Sequence, residues 1–140
     1  ESCGYFDFAA NLDILERLDM IFFDLKTMDS DQHKRVTGVS NEIILQNIRQ
    51  ASELNRNIVV RIPVITGIND DAENIKKTAQ FLLNDTTIRR VELLKYHQLG
   101  MPKMLALAVT PHEFVAPTEI HLDKLKKILG EEGMTFVSYS

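Results

Sequence analysis

Apolar positions along the chain follow two alternating rhythms. Met20-Ile-Phe-Phe-Asp-Leu-Lys26, Ile58-Val-Val-Arg-Ile-Pro-Val64 and Val91-Glu-Leu-Leu-Lys-Tyr96 are short runs rich in β-branched and aromatic residues. Met134-Thr-Phe-Val-Ser138 is a weaker one. Such runs, bounded by turn or charged residues, predict strands near 20–26, 57–64, 90–96 and 134–138. Between them apolar residues recur three or four apart, the spacing of a helix face. Phe8, Leu12, Leu15 and Leu18 predict a helix near 7–18. Ile44, Ile48 and Ala51 predict one near 41–54 with Ser40 as its N-cap. Ile75, Ala79 and Leu82 predict one near 71–83, with Asp70 as N-cap and Glu73 at capping-box spacing. Leu122, Leu125 and Leu129 predict a last helix near 118–130, entered at Pro117 and Thr118 and left at Gly130.

Strands and helices in strict alternation predict βαβ units, right-handed crossovers and a parallel sheet, hence an α/β fold. One strand face should then meet the helices. Ile21, Phe23 and Leu25 fit that face, as do Ile58, Val60 and Ile62. The opposite face carries Asp24 with Lys26, and Arg61. Charges there must face a ligand, a partner or water, because an unpaired buried charge is too costly.

Composition narrows the classes. The chain has 140 residues, 44% hydrophobic and 26% charged, which suits one globular domain. No apolar run approaches the length of a membrane helix. The formal net charge of −4 argues against a broad nucleic-acid surface. A single cysteine, Cys3, excludes a disulfide framework and a multi-cysteine metal site within the chain. One free thiol and an opening without a charged start and apolar core suit a cytoplasmic setting. The chain lacks an initiator methionine and begins at what reads as a strand end, so a piece of a longer protein is expected.

The candidate chemistry gathers at strand ends. Asp24 and Lys26 are two apart and share a face. Arg61 lies on the neighbouring strand, and His97 directly follows the third strand. Ligands of parallel α/β folds bind at the carboxyl ends of strands. One anionic, two cationic and one imidazole group would suit a zwitterionic small molecule. The same residues also read structurally. Asp-x-Lys can be an ion pair, Arg61 can pair locally with Glu92, and Gly67-Ile-Asn-Asp70 can be a turn feeding a helix. His33 and His112 lie in loop-like contexts and His121 in a helix, without metal-site spacing; Cys3 reads as a small buried filler.

Five ordered segments carry a resemblance. Glu1-Ser-Cys-Gly-Tyr5, Phe23-Asp-Leu-Lys26, Thr37-Gly-Val-Ser-Asn41, Val60-Arg-Ile-Pro63 with Gly67-Ile-Asn-Asp70, and Glu92-Leu-Leu-Lys-Tyr-His97 before Leu99-Gly100 together resemble the latter part of the glycyl-radical-enzyme activating enzymes. That family comprises radical S-adenosylmethionine (SAM) oxidoreductases on an open, TIM-like (β/α)6 barrel. The resemblance implies reductive cleavage of SAM at a 4Fe–4S cluster. The resulting radical takes a hydrogen atom from a glycine of a partner, such as pyruvate formate-lyase or a related lyase or dehydratase. It also implies a small electron-donor protein, and no nucleic acid or membrane partner.

Carried over by position, Lys26 and His97 resemble SAM contacts, and Arg61 a channel arginine. Asp24 and Glu1 resemble carboxylates holding a monovalent cation, assisted by carbonyls near Ser2 and Phe22. The cluster motif Cys-x3-Cys-x2-Cys and a Gly-rich SAM segment are absent. The resemblance therefore implies that residues 1–140 form one partial-barrel domain, the latter half of the barrel, with no catalytic residue and no activity of its own. Glu1 stands where Asp is usual in the formate-lyase subgroup, Thr66 replaces a Pro, and Met104 and Ala108 replace an aromatic residue and a Gly after Lys103. Without the resemblance, the residues also fit a non-catalytic α/β binding module using the same rim.

Overall fold

A computed structural model describes residues 1–54, 57–97 and 114–139. Leu99, Gly100, Lys103, Met104, Ala108 and His112 lie outside the described residues. The strands are β1 (Ile21–Asp24), β2 (Ile58–Val64), β3 (Arg90–Lys95) and β4 (Thr135–Phe136). They form one parallel sheet in the order β1-β2-β3-β4. The helices are α1 (Leu12–Leu15), α2 (Ser30–Thr37), α3 (Glu42–Glu53), α4 (Ala72–Asp85) and α5 (Glu119–Glu131).

Alternation along the strands divides the sheet into two faces. Phe23, Val60 and Val91 are in register, all fully buried, and point into the core with Ile48, Ile75, Leu82 and Leu129. On the other face Asp24, Arg61 and Glu92 form a row across three strands. The parallel α/β expectation is met, and so is Thr118 as N-cap, its hydroxyl accepting from His121 N at 3.2 Å.

Several local expectations are corrected. The helix expected over 7–18 is a 3-10 turn, Ala9–Asn11, followed by the single turn of α1. Of its stripe only Leu15 is buried, so little apolar area pulls the segment into longer helix. β4 spans two residues rather than 134–138, because only Arg90 and Val91 of β3 register with it. The cap of α3 is Asn41, not Ser40. The cap of α4 is Asp71, which accepts from Asn74 N at 2.8 Å; Asp70 instead accepts from Gly67 N at 2.8 Å. The last helix leaves at Gly133 (φ +87), not Gly130, in a Schellman arrangement with Gly133 N to Gly130 O and Met134 N to Leu129 O.

Helix α2 was not foreseen. Only His33 in it is buried, so hydrophobic periodicity is silent there. Its ends carry the signal instead: Asp29 caps Gln32 N at 2.8 Å, and Gly38 takes the left-handed conformation.

The opening segment seals the outer edge of β1. Ser2 N donates to Phe22 O and Asp24 N to Ser2 O, both at 2.9 Å. Gly4 follows at φ +79 and is buried, and a Cβ there would sit 3.0 Å from Ile44 Cγ2. Gly4→Ala is therefore expected to cost about 2 kcal/mol through backbone strain and overpacking. Urea unfolding of the chain should show a lower midpoint with an unchanged slope.

Candidate functional site

The polar face of the sheet brings together the acidic and guanidinium groups singled out in the sequence. Arg61 Nε and Nη2 each lie 3.1 Å from Asp24 Oδ1, and Nη2 also pairs with Glu1. Register explains the first contact, since Asp24 and Arg61 are cross-strand partners. The bridge of Ser2 to Phe23 explains the second, because it lays Glu1 beside β1. Arg61 Cζ also sits 5.0 Å from the centroid of Phe22, a cation–π distance. Burial works against the Arg61 charge, but hydrogen bonds and charge from Glu1 and Asp24 outweigh it and hold its pKa above the ordinary value. The guanidinium is a permanent cation of this face.

Two expected pairings are corrected. Lys26 does not pair with Asp24: that carboxylate goes to Arg61, and among the described residues the Lys26 ammonium has no hydrogen-bond or ion-pair partner. Glu92 is not the partner of Arg61; it is buried and accepts from Tyr139 N at 2.6 Å. Asp24 and His97 line one cavity of about 460 Å³, with Pro63, Lys95 and Tyr96. Lys26 lines a second of about 350 Å³, with Cys3, Tyr5, His33 and Thr37. The structure thus gathers Glu1, Asp24 and Arg61 tightly, and sets Lys26 and His97 on separate parts of the same strand-end region. A larger cavity, about 540 Å³, lies away from this rim between residues 5–9 and α3.

What holds the rim in place escaped the sequence reading. Asn69, buried, donates to Lys26 O at 2.5 Å and Pro63 O at 2.8 Å and accepts from Ile65 N at 2.7 Å. Asn74 continues the network by accepting from Met28 N at 2.8 Å and donating to Asn69 O at 3.1 Å. Asn41 donates to Thr27 O at 3.0 Å and Met28 O at 3.1 Å. Asn69 and Asn74 therefore tie the loop after β1 to the loop after β2, and Asn41 ties the loop after β1 to the start of α3. Gln32 of α2 joins them through Ile68 O at 2.6 Å. The segment Gly67-Ile-Asn-Asp70 held the signal, but an asparagine in a turn looks the same whether its amide faces water or two strand ends.

The remaining candidates have structural places. His33 is buried in α2 rather than in a loop, with Nδ1 2.7 Å from Val39 O and 3.0 Å from the Thr37 hydroxyl. His121 lies 2.7 Å from Asp70 O and 3.2 Å from its carboxylate. Cys3 is exposed, not a buried filler. Among the described residues no cluster of three or more His, Cys, Asp or Glu could hold a metal ion. No helix among them is long and apolar enough to cross a membrane.

The parallel sheet with its helices is shared with solved structures. A domain of pyruvate-formate lyase-activating enzyme from Bacteroides vulgatus superposes with a TM-score of 0.76 at 29% identity, over 94% of this chain and 73% of that one. A radical SAM methyltransferase from Sphaerobacter thermophilus shares the fold, with a TM-score of 0.67 at 18% identity over 97% of this chain and 38% of that one. The chain is homologous to part of the glycyl-radical-enzyme activating enzymes. It is 36% identical to the trans-4-hydroxy-L-proline dehydratase activating enzyme of Clostridioides difficile, over 91% of this chain and 43% of that protein. It is 41% identical to the (2S)-3-sulfopropanediol dehydratase activating enzyme of Klebsiella oxytoca, over 78% of this chain and 35% of that protein. The chain thus spans less than half the length of these relatives. No family model matches it.

Proposed function

We propose that this chain is the SAM-facing C-terminal part of a radical SAM activase that generates a glycyl radical on a partner lyase, decarboxylase or dehydratase. Residues 1–140 would form the latter half of an open (β/α)6 barrel as one domain. The observation that carries this reading is the Lys26 ammonium, unpartnered among the described residues and two residues along the chain from Asp24 of the Glu1–Asp24–Arg61 group, in a chain whose homologues are such activases. When bound, SAM supplies the radical that takes the glycine hydrogen. Lys26 suits the carboxylate of a zwitterionic ligand, and the exposed His97 a further polar contact at the same strand ends. Arg61 would border the ligand, its charge fixed by its two carboxylates.

The cluster does not fit this chain: one cysteine cannot supply the thiolates a 4Fe–4S centre needs. The chain alone should bind no iron and cleave no SAM, and the cluster ligands belong to a part of the enzyme it does not span. A small electron-donor protein and a cytoplasmic location accompany the proposal, with neither nucleic acid nor membrane as partner. A monovalent cation at Glu1 and Asp24 would share their oxygens with Arg61, which both already face.

SAM binding by the whole enzyme tests the assignment. Lys26→Ala and His97→Ala should each weaken SAM about ten- to a hundredfold, the loss of one charge-assisted contact. Parent-like binding by both variants would show the site to be elsewhere. Asp24→Ala should abolish any dependence on sodium or potassium, while Lys26→Ala keeps it. If Asp24→Ala retains that dependence, the carboxylate serves only to hold Arg61.

A further inference from the structure

We propose that Tyr139 is a positioning residue for Arg61, acting through the ring of Phe22. The proposal rests on the reading that Arg61 borders the bound ligand. After β4 the chain brings Tyr139 to the polar face of the sheet. Tyr139 N donates to the Glu92 carboxyl at 2.6 Å, and Glu92 is 1% exposed, so water does not compete for this clamp. Arg90 Nη1 lies 3.3 Å from the Tyr139 hydroxyl and steadies the far end of the side chain. The tyrosine ring thereby reaches β1, two strands from the β3 residues that hold it. It meets Phe22 edge-to-face, with centroids 5.2 Å apart and planes at 82°. Phe22 in turn carries Arg61, with Cζ 5.0 Å from its centroid.

This chain of contacts supplies what the carboxylates lack. Asp24 and Glu1 engage Nε and Nη2 along one edge of the guanidinium. Nη1 has no partner among the described residues, so it is the donor left for a ligand. Contacts along one edge anchor that edge, whereas a ring stacked against the face sets the plane. Phe22 is half-buried, and Tyr139 is the ring that packs against it among the described residues. Tyr139 itself is 52% exposed, so it adds little to the core. Core filling does not explain an exposed aromatic clamped by a buried acid; orientation of the next ring does.

The Arg61 Nε–H resonance in the nitrogen-15-labelled chain gives a direct readout, assigned by its loss in Arg61→Lys. Tyr139→Leu should move that resonance and speed its exchange with water about three- to tenfold, at a parent-like melting temperature. Phe22→Leu should reproduce the change, and Tyr139→Phe, which keeps the ring, should restore the parent signal. In the whole enzyme Tyr139→Leu should raise the KM for SAM about three- to tenfold with little change in kcat. An unmoved Arg61 resonance in Tyr139→Leu, or a Tyr139→Phe variant as perturbed as Tyr139→Leu, overturns the proposal. A moved resonance with unchanged KM supports the positioning and counts against Arg61 as a neighbour of the ligand.

Discussion

Asn69→Ala should lower the stability of this chain by about 3 kcal/mol, because it strands three partly buried backbone groups at once. Lys26 O and Pro63 O lose their donor, and Ile65 N loses its acceptor. In a chain of 140 residues that corresponds to a fall in melting temperature of roughly 10 °C. Asn69→Asp sharpens the test. It keeps the acceptor for Ile65 N but places a carboxylate oxygen against two carbonyls, so it should be no milder than alanine. A calorimetric scan in which Asn69→Asp melts with the parent would show that the amide does not bridge the strands. The carbonyl it holds belongs to Lys26, so on the proposed role of Lys26 the same variants should also weaken SAM binding by the whole enzyme.

Phe23→Ala should cost about 3–5 kcal/mol, the usual range for deleting a fully buried phenylalanine. Phe23 is 0% exposed and stacks on Phe6 with centroids 6.4 Å apart. The vacancy would lie where β1, α3 and the opening segment meet, since Gly4 and Ile44 pack around it. Phe23→Leu should recover more than half of the loss. Denaturant unfolding of both variants checks this, and a cost below 1 kcal/mol for alanine would mean that the opening segment does not close over β1. Asp24 and Phe22 flank the deleted ring on the chain but face the other way. The defect therefore separates packing from charge: it destabilises without removing any polar contact of the rim.

The sheet was legible because its strands obey one simple rule. β2 sets Ile58, Val60, Ile62 and Val64 toward the helices with Arg61 and Pro63 away from them, the side-chain period of a strand. Three long helices were legible from their stripes. Helix α2 was not, since Lys34, Arg35, Val36 and Thr37 are all exposed and leave no stripe to read. The rim divides in the same way. Asp24, Lys26 and Arg61 were visible as charges on an otherwise apolar pattern. Which carboxylate takes Arg61 was not, because Glu92 and Asp24 are both its cross-strand neighbours and the choice depends on Tyr139 from the far end of the chain. The amides of Asn41, Asn69 and Asn74 were hidden for a related reason. Their partners are main-chain groups, which every sequence has.

Strand order in space repeats strand order in the chain, and that has a consequence for how the molecule is made. As residues emerge during synthesis, every strand after the first finds its neighbour already present. No segment must wait for a distant one to be threaded between two others. Each closure spans a helix-containing connection of a few tens of residues, and the entropy lost on closure grows only slowly with that length. The apolar stretches of a parallel sheet are the segments most exposed to wrong pairing while folding is slow. β2, β3 and β4 can thus add to the sheet in chain order, and interrupting translation after α4 would leave a paired β1–β2 layer rather than a tangle of orphan strands.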